Sequence, residues 1–301
     1  MPNPWIITAR PKTLPVAASS IITGSALAFW QDAFEPTIAL LCLVTTLLLQ
    51  ILSNFANDYG DHQKGSDTAE RIGPVRSIQT GSIDSHALRR ALMVVIALCV
   101  ISGSTLLLVA VQSMVDLLIF LTLGLCAIIA AIAYTMGARP YGYRGLGDVS
   151  VLIFFGILGV GGSFYLQTHI ITPLIFLPAI ATGLLAAAVL NINNLRDIEQ
   201  DYQAGKLTLA VKLGAHNARH YHALLLILSL CLDATFVLIT DGSLWRWLFM
   251  LSILLLYCHL RAVYHCQSPL ELRPLLAQMA ILTLIFNGLF SLGLILDKIF
   301  G

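Results

Sequence analysis

Four aspartates stand in two pairs far apart in the chain, Asp58 with Asp61 and Asp197 with Asp201. Each pair follows asparagines and precedes a lysine: Asn54, Asn57 and Lys64 flank the first, Asn191, Asn194 and Lys206 the second. The spacing is i to i+3 in one and i to i+4 in the other, so the two form a weak internal repeat. On a helix either spacing puts both carboxylates on one face. Like charges that close raise each other's pKa unless a cation sits between them, so two such pairs ask for a divalent ion. Oxygen ligands with open positions suit Mg²⁺, which keeps waters and commonly bridges to phosphates. The lysines and arginines alongside would meet the anion that the metal carries. The plainer alternative is a pair of solvated surface turns whose charges only fix topology.

The elements that must position these residues are apolar. Of 301 residues, 57% are hydrophobic and 11% charged, against the ~25% charged content usual for soluble domains. Runs such as TIALLCLVTTLLLQILSNFA reach the ~20 residues that a helix needs to cross ~30 Å of hydrocarbon. They lack the period-2 alternation of barrel strands, so the expected fold is an all-α membrane bundle. Nine candidate spans run over 14–30, 36–56, 87–111, 115–136, 149–167, 171–192, 219–240, 244–261 and 274–296, and read as one domain over 1–301. With the N-terminus in the cytoplasm, every Lys and Arg of the 17 except Arg246 and Lys298 falls on the inner side. That positive-inside bias places the C-terminus in the periplasm. The long polar connections 57–86 and 193–218 are then cytoplasmic, whereas the outer ones are short. Loops that long are usually functional or disordered, so the working surface is expected on the inner side.

The six cysteines lie in or beside apolar stretches without CxxC spacing and read as small buried hydrophobes. No basic, aromatic-interleaved surface points to nucleic acid. His62 follows Asp61 directly, but His169, His216, His220, His222 and His265 read as loop and interface residues. Asp233, inside a span, reads as facing a neighbouring helix or a polar cavity.

NDYGD at 57–61 and D-x-x-x-D at 197–201 resemble the two aspartate-rich motifs of the UbiA-type intramembrane prenyltransferases. ARPKTLP, NDYGDHQKGSD followed by RIGPVRSIQTG, YTMG before RPYGYRGLGD, and NNLRDIEQDYQAGKLTLAVKLG look like the branch of that family that prenylates 1,4-dihydroxy-2-naphthoate. The match runs from about residue 9 to 214. It implies a bacterial inner-membrane enzyme that binds polyprenyl diphosphate through Mg²⁺ at a cytoplasmic mouth. The product would be demethylmenaquinone, with release of diphosphate and CO₂. By the family pattern Asn57, Asp58 and Asp61 form one metal motif and Asp197 and Asp201 the other. Lys64, Arg71, Arg76 and Lys206 fall where diphosphate-contacting cations are placed. Gly65 stands where 4-hydroxybenzoate enzymes carry a further aspartate, which favours the naphthoate branch and leaves Asp67 without a role.

Such an enzyme must neutralise a departing diphosphate and shield an allylic cation from water. Tyr134, Tyr141, Tyr143, Phe154 and Phe155 are candidates to face that cation, with ordinary helix packing as the alternative. Arg139 is the candidate for the acceptor's carboxylate. The expected partners are the diphosphate, the aromatic acid and membrane lipid, with no nucleic acid and no protein. Two other readings stay open: a prenyltransferase with another acceptor, such as 4-hydroxybenzoate or haem, and a secondary transporter built on paired polar helix breaks.

Overall fold

A computed structural model describes residues 3–65, 72–73 and 76–301. Among the described residues nine helical stretches are long and apolar enough to cross a membrane, and no strand occurs. In chain order the helices are α1 (Pro4–Ala9), α2 (Leu14–Trp30), α3 (Pro36–Gln63), α4 (Ser85–Ala110) and α5 (Met114–Ala133). One further span joins α6 (Gly147–Val151), a π-helical stretch (Leu152–Gly162) and α7 (Ser163–Thr168). Then come α8 (Phe176–Arg196), α9 (Ile198–Gln203), α10 (Leu209–Ile239), α11 (Ile253–His265) and α12 (Leu272–Phe300).

Short polar side chains start several of these helices by satisfying free backbone N–H groups. Asn3 accepts from the amide of Trp5, Asp84 from that of His86, Ser113 from that of Asp116 and Thr208 from that of Val211. Prolines occupy the first turns of α1, α2 and α3, where a missing N–H is harmless.

The main core lies among α2, the π-helical stretch, α7, α8, α10 and α12, around the fully buried Leu27, Phe164, Leu185, Phe236, Phe286 and Phe290. Lipid is as apolar as these side chains, so polar ties add specificity to their packing. Thr23 and Thr182 both donate to Asn287 Oδ1, at 3.0 and 2.6 Å, and so bind α2 and α8 to α12. A second cluster, around Leu52, Phe55, Leu88 and Leu92, packs α3 on α4. By contrast α5 has no buried residue. Between the two clusters runs a cavity of about 920 Å³.

The spans extend past the apolar windows seen in the sequence. α3 continues through Gln63, so NDYGD forms its last turns rather than a loop. Much of 193–218 is likewise helical, in the end of α8, in α9 and in the start of α10.

Candidate active site

The first aspartate pair lies where the helix dipole is least favourable to anions, at the C-terminal end of α3. Both carboxylates are buried, and arginines compensate them. Arg10 donates to Asp58 Oδ1, and Arg76 bridges the pair, with Nε 3.3 Å from Asp58 Oδ1 and Nη2 2.7 Å from Asp61 Oδ2. The turn after α1 supplies Arg10, whose backbone is left-handed at φ 52°. Asn54 ties that turn to α3 by donating to the Ala9 carbonyl at 2.9 Å. Gly60 lets α3 pass close to Thr135: a Cβ there would stand 2.7 Å from Thr135 Oγ1 and 2.9 Å from its carbonyl carbon.

The second pair straddles the break between α8 and α9. Arg196 grips Asp197 with two hydrogen bonds, Nε to Oδ1 at 2.7 Å and Nη2 to Oδ2 at 2.5 Å. Asp201 is one turn on, and Lys206 Nζ lies 3.5 Å from its Oδ1. Burial pushes the Asp201 carboxyl up to about 6; Lys206 opposes this, and the charges of Asp197 and Asp61 add to it. Burial pulls Lys206 down, yet Asp61 and Asp201 outweigh it and hold the ammonium above its ordinary value. Lys206 therefore feels the charge of both motifs.

All four aspartates line the one cavity, with Asn54, Asn57, Arg76, Tyr134 and Lys206. They form two walls rather than a single cage. Among the described residues, no group of three or more Asp, Glu, His or Cys side chains stands together as a metal site. Four bare carboxylates would repel one another, and here each is held by a cation instead. The residues nonetheless fit a hard cation: Asn57 Oδ1 and Asp201 Oδ2 are buried acceptors without a partner, and oxygen-only ligands with free positions suit Mg²⁺.

Other candidates take different places. Tyr143 donates to Asp61 Oδ1 at 2.8 Å, and the ammonium groups of Lys64 and Lys206 lie 5.4 and 5.7 Å from its ring centre. Its ring thus meets lysines, not the cavity, and Lys64 is exposed. Arg139 is exposed and does not line the cavity, so the structure does not bring it to the site. Asn194 is buried outside the lining. Arg71 and Asp67 lie outside the described residues. Tyr134, Tyr141, Phe154 and Phe155 do line the cavity. Burial, then the charges of Asp148, Asp201 and Asp61 among its neighbours, push the Tyr134 phenol well above its ordinary value.

The sequence reading passed over Arg10, Lys12, Arg196 and Gln200, all of which line the cavity. Arg10 and Lys12 belong to ARPKTLP, and that motif was the available signal. Away from this polar mouth the cavity turns apolar and follows α3 from Asp58 to Cys42, about 24 Å of helix rise. Its sides include Leu107, Phe120, Leu158 and Leu166.

A sequence model described as the UbiA prenyltransferase family matches residues 17–287. The chain belongs to the UbiA prenyltransferase family. This UbiA-family protein is 56% identical to the 1,4-dihydroxy-2-naphthoate octaprenyltransferase of Haemophilus influenzae over 294 residues, 97% of this chain and 96% of the relative. It is 53% identical to the Escherichia coli K12 protein of the same name, over 98% of this chain and 96% of that one. In fold it is similar to a UbiA homolog from Archaeoglobus fulgidus solved with GPP and Mg²⁺, with a TM-score of 0.68 at 16% identity over 97% of this chain and 99% of the other.

Proposed function

We propose that this UbiA-family prenyltransferase joins a polyprenyl group from polyprenyl diphosphate to 1,4-dihydroxy-2-naphthoate. Diphosphate and CO₂ leave, the ring stays at the hydroquinone level, and the immediate product is the reduced form of demethylmenaquinone, a step of menaquinone synthesis. The reading rests on one observation: a single cavity joins a mouth of paired aspartates and cations to an apolar shaft. That shape suits a molecule with a diphosphate head and a hydrocarbon tail. The high identity to two naphthoate octaprenyltransferases supports the choice of acceptor. A midplane site, as transporters have, does not match a polar mouth at one end of the bundle.

In this proposal Asp58 and Asp61, with Asn57, and Asp197 with Asp201 would hold Mg²⁺. When bound, the metal supplies neutralisation of the charge that grows on the departing diphosphate. Arg76 and Lys206 orient the same phosphate oxygens, and Lys64 belongs to the approach. The apolar shaft excludes water from the allylic cation, and the faces of Tyr134, Phe154 and Phe155 are placed to stabilise it. Arg10 and Lys12 take the acceptor's carboxylate in place of Arg139. We place the whole chain as one domain in the bacterial inner membrane, with this mouth in the cytoplasm.

The test supplies purified protein with octaprenyl diphosphate and either 1,4-dihydroxy-2-naphthoate or 4-hydroxybenzoate, and identifies products by mass. Prenylated, decarboxylated naphthoate is expected; product from 4-hydroxybenzoate alone would overturn the acceptor assignment. Asp58→Ala and Asp197→Ala are each expected to lower turnover by about 100-fold or more without loss of the folded bundle. EDTA should stop the reaction and Mg²⁺ restore it. Turnover that persists in metal-free buffer would mean that the cations act alone.

A further inference from the structure

The reaction proposed above has no net proton. A prenyl group takes the place of a carboxylate, diphosphate leaves with the electron pair of its C–O bond, and CO₂ leaves its bonding pair on the ring. Within the cycle, however, a proton must move twice. Formation of the new C–C bond uses ring electrons and turns a ring hydroxyl into a protonated ketone, which gives up its proton. Loss of CO₂ then makes an enolate, which takes a proton back. The site therefore needs a group that holds one proton and returns it, out of contact with water.

The only acids that line the cavity among the described residues are the four motif aspartates, which the arginines and Lys206 engage. A fifth carboxylate lies just behind the lining. Asp148, in the first turn of α6, is buried; Tyr221 donates to its Oδ1 at 3.2 Å, and its Oδ2 is buried with no partner. In front of it stands Tyr134, which lines the cavity and whose hydroxyl makes no hydrogen bond to any described residue. Gly147 brings the two together, because a Cβ there would stand 2.9 Å from the Tyr134 hydroxyl oxygen. That oxygen thus lies against the backbone of the residue next to Asp148. The Tyr134 ring is held edge-on by Tyr141, with centres 5.3 Å apart, and Tyr141 is anchored to Ser150 at 2.9 Å.

We infer that Tyr134 and Asp148 form a reversible proton relay for the aromatic acceptor, an inference that rests on the reaction proposed above. As the C–C bond forms, the ring hydroxyl passes its proton to the Tyr134 oxygen while the Tyr134 proton moves to Asp148 Oδ2. As CO₂ departs, both transfers reverse. Tyr134 is the catalytic residue of the pair, since it faces the acceptor. Asp148 acts through it and is a positioning residue, with Tyr221 fixing its other oxygen. Contact between the Tyr134 hydroxyl and Oδ2 closes when the acceptor binds, as catalytic hydrogen bonds that are loose in empty sites commonly do.

The test uses full-length Tyr134→Phe and Asp148→Asn proteins beside the wild type, with octaprenyl diphosphate and 1,4-dihydroxy-2-naphthoate. General acid–base groups contribute about 100-fold or more, so kcat for naphthoate product is expected to fall by about that factor in each variant. KM for both substrates should stay within about twofold. Diphosphate release should fall less than product formation, with free prenol appearing as water captures the stranded cation. Unchanged kcat, a rise in KM alone, or parallel loss of diphosphate release and product would overturn the relay. Tyr134→Phe keeps the packed ring, so it decides the matter if Asp148→Asn does not fold. The wild type separates the two readings: no naphthoate product from it refutes the reaction itself, whereas full activity of both variants refutes only the relay.

Discussion

Asp201 is the aspartate whose titration has a readable consequence. Its folded carboxyl titrates at about 6 rather than 3.8, chiefly because it is buried. A raised carboxyl favours the protonated form in the fold, so its contribution to stability is full below 3.8 and is lost as pH rises through about 6. Metal needs the ionised form. Two opposite trends are therefore expected as pH falls through about 6: the metal-free protein gains thermal stability relative to Asp201→Asn, and its affinity for Mg²⁺ declines. Melting curves and calorimetric titrations across that interval check both; a wild type that tracks Asp201→Asn throughout would remove the assignment. The aspartates themselves were legible in the sequence because their spacing is local. Arg10 was not: its partner Asp58 lies 48 residues on, and no local pattern shows which cation meets which acid. Arg139 misled for the converse reason, since a cation beside a motif need not point into the site.

At the scale of helices, the apolar windows located every span but ended α3 too early. A carboxylate at a helix C-terminus is disfavoured, so NDYGD reads as the point where the helix should stop. Arg10 and Arg76 remove that penalty from elsewhere in the chain, and α3 runs on to Gln63. The position of these last turns depends on Gly60, which packs against Thr135, while Thr135 Oγ1 donates to the Ala56 carbonyl at 3.0 Å. Gly60→Ala would press a methyl against backbone atoms that cannot easily move. Overpacking of this kind costs about 1–3 kcal/mol, so a lower melting temperature is expected together with lost turnover, as both aspartates shift with the helix. An alanine variant that melts and turns over like the wild type would show that this contact does not set the motif.

For the molecule as a whole, the positive-inside count singled out Arg246 and Lys298 as the exceptions. The structure pairs both with acids, Arg246 Nη2 to Asp297 Oδ2 at 2.5 Å and Lys298 Nζ to Asp32 Oδ2 at 2.6 Å. Neither is an unpaired cation opposing the proposed orientation. A phosphatase that works only outside the cytoplasm is thus expected to be active when fused after Gly301 and inactive when inserted in the turn at 204–206; the reverse pattern would invert the molecule. The polar mouth is neutralised in the same manner, by Arg10, Arg76, Arg196 and Lys206. Under the proposed function, an incoming metal and diphosphate would not fill a vacant hole there. They would exchange partners with cations already in place, and their affinity would be the difference between two sets of ion pairs.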